Sequence, residues 1–334
     1  MQWCLYALGG GLGHLTRALA LARAAIARGH DVTVLSNSSD ATRIPAVAEL
    51  GLPRRLITIP SEFDHQRVSA LVQERLTASA FDVLIVDTFP RGLAGELHDR
   101  LPTLSARNIK TVLVHRDLQP RYVEWAKLDP LASAYDLILS PGESGPFANL
   151  PNVRRTDSWL IRDHHELLDQ HAAWQRLRII ETDRPVITVI ASGMSDERPA
   201  MSALASRLSR ALLGRASVRL IAVDAADAPD EVETVALWPC FSAMAGIDLL
   251  IGAGGYNTVS EAHATRTPLL AIARRRLYDR QELRLPAHER VANEVEAEQK
   301  AIQWIAQSAN IHRDPIPQYA NGVHDAVRWI ESIA

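Results

Sequence analysis

The sequence predicts an α/β protein with two doubly wound parallel-sheet domains facing a central cleft. Apolar, strand-like runs alternate with amphipathic, helix-like runs, and several strand-like runs are continuously apolar, as expected for parallel strands covered on both faces. The alternation stops once, at 141–146 and the polar stretch up to Asp157, and then restarts. A strand, a glycine loop and a helix follow one another in each half, and 334 residues are enough for two domains.

The first half is predicted to alternate strands and helices in βα units. The predicted strands are Gln2–Leu8, Asp31–Ser36, Arg55–Thr58, Val83–Asp87, Thr111–His115 and Leu137–Leu139. The helix-like stretches between them are Leu15–Arg28, Asp40–Leu50, Val68–Ala78 and Pro90–Leu101. Sheets of this kind bind ligands at the carboxyl ends of their strands.

The second half repeats the pattern. Its predicted strands are Pro185–Ala191, Val218–Val223, Asp248–Ile251 and Leu269–Ile272. Its predicted helices are Pro199–Leu213, Thr258–Thr265, parts of Asp279–Ala306, and His324–Ile333. We therefore expect an N-terminal domain at 1–157, a C-terminal domain at 158–318, and a terminal segment, 319–334, whose helix packs back on the first domain.

The composition argues against several classes of protein. A net charge of −3 argues against an extended nucleic-acid-binding surface. Cys4 and Cys240 lie in apolar segments, without metal-ligand spacing, and are expected to be buried thiols of a reducing compartment. No apolar run reaches the ~18 residues that span a bilayer, and the first strand leads into a glycine loop, unlike a signal peptide. We expect a cytoplasmic protein with at most peripheral contact with the inner membrane face; the sequence does not indicate its oligomeric state.

A glycine loop at 9–13 separates the first strand from the first helix, and His14 follows it. Glycines let backbone amides approach a ligand, and a helix N-terminus favours negative charge, so Gly11 and Gly13 are candidates to contact a diphosphate. A neutral imidazole here can take a proton from a bound hydroxyl, which makes His14 a candidate general base. The alternative is a histidine without a chemical role. The loop lacks the third glycine of the dinucleotide fingerprint, which argues against a dehydrogenase.

Two carboxylates that follow predicted strands are candidates to orient His14. Asp117 ends the run His115-Arg116-Asp117 and could hold the imidazole in the required tautomer, as in a catalytic dyad. Asp87, at the end of a neighbouring strand, competes for that role. We predict Asp117 as the catalytic partner; the alternative for either carboxylate is a capping or loop hydrogen bond.

A second glycine loop, at 252–255, opens a helix that carries several polar side chains. Thr258 could cap this helix or bond phosphate oxygens. Glu261, expected within the first turn, could accept two hydroxyl protons from a diol such as a ribose; the alternative is pairing with the helix dipole. The stretch 279–282 could contact sugar hydroxyls, and the alternative there is solvated charge at a helix start.

These motifs resemble the GT-B glycosyltransferases, whose fold is two Rossmann-like domains facing a cleft. The most specific part is Gly-x-x-Thr-Val-Ser-Glu, ending at Glu261, followed by Pro268 and Asp-Arg-Gln. The pattern is similar to that of MurG, the N-acetylglucosaminyltransferase of peptidoglycan precursor synthesis. A group of predicted bacterial glycosyltransferases is similar as well: its members share with this sequence the motifs Gly-Gly-Gly-x-Gly-His-x-x-Arg, Arg-Asp-Leu and Gly-Tyr-Asn-Thr-Val.

The resemblance implies an NDP-sugar donor, with UDP favoured, and an unidentified hydroxyl acceptor, either a small molecule or lipid-linked. It implies that Glu261 binds the ribose and Gln281 the donor sugar. The implied donor-site residues are Arg162, Ser192, Gly193, Phe241, Met244, Gly254, Gly255, Asn257, Thr258, Glu261, Asp279 and Gln281. The sequence contains no Asp-x-Asp pair, which agrees with a metal-independent enzyme without a cofactor. The resemblance implies a single displacement that inverts the anomeric centre.

The sequence departs from MurG immediately around His14. One glycine, not two, precedes the histidine, and Leu15-Thr16-Arg17 replaces a proline-bearing segment, which weakens the case for a lipid-linked muramyl acceptor. The first loop and the stretch 159–162 also resemble the UDP-sugar hydrolase of pseudaminic acid synthesis. The alternatives are therefore a UDP-sugar hydrolase or epimerase, or a non-catalytic nucleotide-sugar-binding subunit.

Overall fold

The computed structural model describes residues 1–180, 183–191, 193, 196–223, 229, 231–307 and 314–334. The chain divides into two compact units. The first unit consists of Met1–Leu160, Leu277–Asp279 and Ala320–Ala334, and the second of Ile161–Arg276 and Arg280–Tyr319. A short piece of the second half of the sequence, 277–279, thus belongs to the first unit.

The described residues of the first unit form a seven-stranded parallel sheet with the order β3-β2-β1-β4-β5-β6-β7. Its strands are β1 (Gln2–Ala7), β2 (Asp31–Ser36), β3 (Leu56–Thr58), β4 (Val83–Asp87), β5 (Lys110–Val114), β6 (Leu137–Pro141) and β7 (Val153–Thr156). The strand order reverses between β1 and β4, which are paired in register from Trp3 with Val83 to Tyr6 with Val86. Ligands of such sheets bind at this switch point, beyond the strands' carboxyl ends.

The described residues of the second unit form a six-stranded parallel sheet with the order β10-β9-β8-β11-β12-β13. Its strands are β8 (Val186–Ile190), β9 (Ser217–Ala222), β10 (Glu233–Ala236), β11 (Leu249–Ala253), β12 (Leu269–Ile272) and β13 (Arg290–Val291). The reversal here lies between β8 and β11. Each of the two predicted glycine loops therefore follows a strand at a switch point.

The α-helices pack on the sheets and contribute buried residues to the core of each unit. They are α1 (Leu12–Ala27), α2 (Ala46–Leu50), α3 (His65–Ala78), α4 (Leu101–Ala106), α5 (Pro120–Trp125), α6 (Leu128–Ser133), α7 (Gln170–Arg176), α8 (Arg198–Ala211), α9 (Tyr256–Thr265), α10 (Glu294–Gln307) and α11 (Val323–Glu331). The 3-10 helices are Pro53–Arg55, His164–Glu166, Cys240–Gly246 and Gln281–Arg284. No helix in the described ranges is both long and apolar enough to cross a membrane.

The central strands are buried as the sequence predicted. Every residue of β4 is buried, and so is every residue of β12. Three strands were not predicted, β7, β10 and β13. They lie at or next to a sheet edge, and β7 exposes Arg154 and Arg155. An edge strand has a neighbouring strand on one side and solvent on the other, so it tolerates charged side chains. It therefore lacks the continuous apolar run from which a central strand is predicted.

The helix predicted over Pro90–Leu101 is wrong, because the chain turns through this stretch and α4 begins at Leu101. Gly92 and Gly95 have φ angles of 79° and 89°, which a right-handed helix does not allow. Side chains then satisfy the backbone: the Leu93 N–H donates to the Tyr6 hydroxyl at 2.8 Å. The buried Glu96 carboxylate, which also accepts from the Tyr6 hydroxyl, pins the loop that follows β4.

The last helix, α11, packs on α1 and β7 within the first unit. Glu331 near its end accepts two hydrogen bonds from Arg28, at 2.8 and 2.7 Å, and one contact of 2.9 Å from His30. The hydrogen bonds from Arg28 are the main cause that lowers the pKa of Glu331 to about 2. This ion pair fixes the C-terminal helix beside the start of β2.

Candidate active site

The first glycine loop connects β1 to α1. Gly11 is the N-cap of α1, with φ −89° and ψ 157°, and Gly10 has a φ of 75°. The amides of Gly9 and Gly10 both donate to Asn37 Oδ1 at 2.9 Å, so these two groups already have a protein acceptor. Within the described part of the chain, a Cβ built on Gly10, Gly11 or Gly13 would meet no atom within 4 Å apart from those of its chain neighbours and of the helix's own backbone. The loop is thus open at these three glycines, which include the two predicted to approach a diphosphate.

His14 lies in the first turn of α1, and its ring packs against Gly9. A Cβ on Gly9 would overlap this ring, so the loop must be glycine at that position. His14 Nδ1 is 2.5 Å from Asp87 Oδ2, and the two side chains are 19% and 7% exposed. Because an ionised carboxylate only accepts hydrogen bonds, Nδ1 carries the proton and Nε2 keeps its lone pair in the neutral ring.

Arg17, one turn further along α1, holds the other edge of the same carboxylate. Its Nε and Nη2 donate to the two Asp87 oxygens at 2.7 Å each, and Nη2 also lies 3.1 Å from Thr88 Oγ1. Arg17 is 1% exposed. Burial by itself would raise the pKa of Asp87, but the Arg17 guanidinium and His14 outweigh it and hold that pKa well below its ordinary value. Asp87 is therefore an anion across the working pH range.

The pairing of His14 with Asp117 predicted from the sequence is wrong. The carboxylate at His14 Nδ1 belongs to Asp87, because β4 is the neighbour of β1 and β5 lies one strand further away. Asp117 follows β5 in a buried loop, where its N–H lies 3.5 Å from a Glu143 oxygen. Asp87, the competing carboxylate of the sequence analysis, is the one at the switch point.

The backbone after Asp87 is strained. Thr88 has a φ of 69°, a value that residues other than glycine rarely adopt. Its N–H donates to the Val114 carbonyl at 2.9 Å. This turn brings Phe89 against His14, with ring centroids 5.7 Å apart and an angle of 25° between the planes. Phe89 is 3% exposed. The ring of His14 is thus fixed by a carboxylate at one nitrogen and an aromatic ring on its face.

His115 has a structural environment. It is fully buried, and its Nε2 accepts from the Phe147 N–H at 3.2 Å. Burial lowers the pKa of His115 to about 4, so this imidazole is neutral at physiological pH. Its neighbour Arg116 lies 3.4 Å from Glu143 and 4.0 Å from Asp279.

Asp279, predicted to contact the donor sugar, lies in the 277–279 segment of the first unit. The carbonyl of Tyr278 accepts from the Gln119 N–H at 2.9 Å, and the Tyr278 ring packs on Phe89 at 5.2 Å. These contacts explain why the segment belongs with the first sheet: its half-buried aromatic ring packs against residues that follow β4 and β5. Sequence order gave no indication of this placement.

The second glycine loop joins β11 to α9. Gly255 is the N-cap, so α9 begins at Tyr256 and Glu261 lies in its second turn; the expected first-turn position is wrong. A Cβ on Gly254 would lie 2.9 Å from Leu285 Cδ1 and 3.5 Å from Gln281 Cβ, so this glycine is required by a close approach. Gln281 is 4% exposed, and its side-chain oxygen accepts from the Arg274 N–H at 2.9 Å.

Glu261 is a buried carboxylate, 8% exposed. Burial raises the pKa of Glu261 to about 8, and the positive charge of Arg162 opposes that rise. Tyr319 contacts two further residues predicted for the donor site. Its hydroxyl donates to the Arg162 carbonyl at 3.1 Å, and its ring centroid lies 5.9 Å from that of Phe241. Arg162, Phe241 and Glu261, all predicted for the donor site, therefore share one neighbourhood in the second unit.

The remaining predicted donor residues are spread around α8 and α9. Asn257 and Thr258 lie half-buried in the first turn of α9, and Met244 is 2% exposed in the 3-10 helix that begins at Cys240. Gly193 has a φ of 110° in the loop after β8, beside Glu197. Ser192 lies outside the described residues.

Arg274 and Arg276, which follow β12, have carboxylate partners. Arg276 donates two hydrogen bonds to Glu197, at 2.5 and 2.7 Å, and Arg274 Nε lies 3.7 Å from the same carboxylate. Arg274 also donates to Glu294. Glu197 thus neutralises arginine charge directly beside the loop after β8.

Sequence reasoning missed four residues of these two neighbourhoods: Arg17, Asn37, Phe89 and Tyr319. Arg17 had a signal, since His14-x-x-Arg17 places both side chains on one face of a helix. The other three lie near the site because of the order of the strands and because the chain returns to the site from positions distant in sequence. The local sequence carries no signal for either.

Comparison with known proteins shows likeness in fold. No protein-family model matches this chain, and no curated protein matches it. The spinosyn rhamnosyltransferase SpnG complexed with thymidine diphosphate is 16% identical with a TM-score of 0.59, over 100% of this chain and 96% of that chain. The spinosyn forosaminyltransferase SpnP is 15% identical with a TM-score of 0.59, over 100% and 99%. A putative UDP-N-acetylglucosamine 2-epimerase from Listeria monocytogenes is 11% identical with a TM-score of 0.62, over 100% and 95%.

The predicted fold class, α/β with two domains built on parallel sheets, is confirmed. Both sheets are parallel and doubly wound, and the full-length matches are to structures of glycosyltransferases and of an epimerase. At such identities the likeness concerns the GT-B fold, and what each relative binds belongs to that relative.

Proposed function

We propose that this chain is a glycosyltransferase that moves a sugar from a nucleoside diphosphate sugar, with UDP favoured, to a hydroxyl acceptor. The observation that carries the proposal is the array of His14, Asp87 and Arg17 at the switch point of the first sheet. It presents an imidazole whose Nδ1 proton is held by a permanent anion and whose Nε2 is a base. The glycosyltransferase structures that share the fold, and the MurG-like motifs of the sequence, support sugar transfer.

His14 would act as the general base in a single displacement. Its Nε2 takes the proton of the acceptor hydroxyl while that oxygen bonds to the anomeric carbon. The bond from the anomeric carbon to the diphosphate oxygen breaks, and the nucleoside diphosphate leaves with the electron pair, which inverts the anomeric centre. Asp87 stabilises the imidazolium and stays ionised because its pKa is held so low.

The second unit would hold the nucleotide. Glu261 would accept hydrogen bonds from the ribose hydroxyls, and the burial of its carboxyl group near Arg162 and Phe241 supports this role. The N-terminus of α9, a helix of 10 residues, offers amides to the leaving diphosphate, and this supports a reaction without a metal ion. The SpnG structure holds thymidine diphosphate, and the Listeria protein is named, as a putative epimerase, for a UDP-sugar, so a pyrimidine base is proposed for the donor.

Replacing His14 by Ala tests the role of the base. We expect turnover to fall about 100-fold or more, because general-base catalysis contributes on that scale, while UDP binds as before. The measurement is release of UDP from a panel of UDP-sugars with hydroxyl acceptors, paired with calorimetry of UDP binding. His98→Ala is the control, since His98 is an exposed histidine of the first unit 3.8 Å from Asp99. Equal turnover in the His14→Ala protein and the wild type would remove His14 from the mechanism.

A hydrolase or epimerase is the second candidate, and one observation favours it. The Listeria epimerase has the highest TM-score among the three structures described above, 0.62. Incubation with UDP-sugars and no acceptor separates the two functions. Rapid acceptor-free release of sugar, or conversion to the 2-epimer, would favour the alternative, whereas acceptor-dependent release supports transfer.

Donor binding is expected to depend on pH through Glu261. The pKa of Glu261 is raised to about 8, so at pH 7 its carboxyl group is mostly neutral. The ionised form is the better acceptor of hydrogen bonds from two ribose hydroxyls. The affinity for UDP should therefore rise about tenfold between pH 7 and 9, a range in which the phosphates are already ionised. Calorimetry should show this rise in the wild type and a flat profile in Glu261→Gln. A flat wild-type profile would contradict the proposed role of Glu261.

A further inference from the structure

We propose that the acceptor is a rigid, apolar ring compound that carries a hydroxyl group, bound on an aromatic surface next to His14. This surface, the aromatic platform, consists of Phe89, Tyr122, Trp125 and Tyr278. The inference rests on the proposed function, which makes His14 the base. It adds the chemical class of the molecule that His14 deprotonates.

The rings of the platform follow one another from His14 outward. Phe89 lies against the His14 ring at 5.7 Å, and Tyr278 meets Phe89 edge to face at 5.2 Å and 76°. Tyr122 lies 4.6 Å from Tyr278, and Trp125 lies 6.3 Å from Tyr122. All four platform residues belong to the first unit. Aromatic residues are 5% of the chain, so four in contact beside the candidate base are a local concentration.

Exposure increases along this series. Phe89 is 3% exposed, whereas Trp125 at the end of α5 is 77% exposed, and Leu277, next to Tyr278, is 74% exposed. Among the residues that the structure describes, the exposed Trp125 indole and the partly buried rings beside it leave apolar surface open to solvent, and such surfaces mark ligand sites. The ring that contacts His14, Phe89, is itself buried, so a flat molecule stacks on the more exposed rings of the platform. Only a rigid ligand that extends along the series from there brings its hydroxyl to His14. Offset stacking and edge-to-face contact between rings favour an aromatic or polycyclic ligand over a flexible chain.

The charges around Trp125 argue against a membrane surface as the occupant. Arg121, Glu124 and Lys127 are exposed on and just after α5, so both signs are present. A helix that binds an anionic membrane instead carries a polar face rich in lysine and arginine. The same helix has 6 residues, too short to present a continuous apolar face to lipid.

The test uses 2-naphthol, a flat, uncharged ring compound with one hydroxyl, and the full-length protein saturated with UDP. Equilibrium dialysis should show saturable binding to the wild type. Trp125→Ala should weaken it about tenfold, and Trp125→Phe should retain most of it. The control is Trp329→Ala, since Trp329 is a partly exposed tryptophan of the same unit, 39% exposed and packed under Arg154. UDP binding should be equal in all four proteins.

The outcomes separate this inference from the proposed function. If UDP binds and turnover depends on His14, but 2-naphthol fails to bind or both alanine variants lose it equally, the aromatic platform is not the acceptor site. Loss of binding to phosphatidylglycerol vesicles in Trp125→Ala, without 2-naphthol binding, would assign the platform to a membrane and overturn the inference. If 2-naphthol binding depends on Trp125 while UDP neither binds nor is released, the proposed function fails and a ring-binding site remains.

Discussion

Replacing Asp87 by Asn is expected to lower glycosyl transfer per folded molecule by about 10,000-fold, and also to lower the free energy of unfolding, because the buried Arg17 cation loses its anionic partner. The amide has the shape of the carboxylate but donates through nitrogen. It can donate to His14 Nδ1, which then becomes an acceptor, and the ring proton moves to Nε2, the atom that must receive the acceptor's proton. Alanine at position 14 leaves space for water, whereas this variant keeps a ring with the wrong tautomer at the reacting hydroxyl. The loss should therefore exceed that of His14→Ala.

The matched control is Asp117→Asn, because Asp117 is the carboxylate that the sequence predicted for this role. Turnover in Asp117→Asn should stay within about tenfold of the wild type, since the carboxylate 2.5 Å from His14 belongs to Asp87. Calorimetry of UDP binding should give equal affinities in both variants and the wild type. A large loss in Asp117→Asn with little loss in Asp87→Asn would show that the orienting carboxylate is Asp117 after all.

Asp87 and Asp117 also show where sequence reasoning ends. Both follow apolar runs, and both runs are strands of the same sheet, so the pattern predicted correctly that each carboxylate lies near the carboxyl ends of strands. The choice between them depends on which strand pairs with β1. Strand order follows from packing over the whole sheet, and neither residue's neighbours in sequence encode it.

In the second unit too, the sequence predicted the strands and the glycine loop but not the environment of particular side chains. Apolar runs predicted β8, β9, β11 and β12, and glycines predicted the loop before α9. The state of Glu261 was not predictable, because its raised pKa comes from burial by residues far apart in the sequence. The placement of Tyr278 in the first unit was also beyond reach, since the segment around it carries no strand or helix pattern and is held by ring contacts.

Replacing Arg17 by Met is expected to lower the free energy of unfolding of the first unit by about 3–5 kcal/mol. Methionine keeps much of the side-chain length but removes the cation that makes two hydrogen bonds of 2.7 Å to a buried carboxylate. The main cost is the uncompensated charge of Asp87, not the lost contact. Urea denaturation followed by tryptophan fluorescence measures it, since Trp3 of β1 is buried in this unit. Arg23→Met is the control: Arg23 lies on the same helix, 25% exposed and 2.9 Å from Glu49, and should cost about 1 kcal/mol or less.

The pH dependence of this effect distinguishes the buried charge from simple loss of packing. The folded-state pKa of Asp87 lies below its unfolded value, near 4, so the stabilisation by Arg17 is present above about pH 4 and is lost as the pH falls and the carboxyl takes up a proton. The stability gap between wild type and Arg17→Met should therefore narrow in acid. A gap that stays constant with pH would reduce Arg17 to a packing residue.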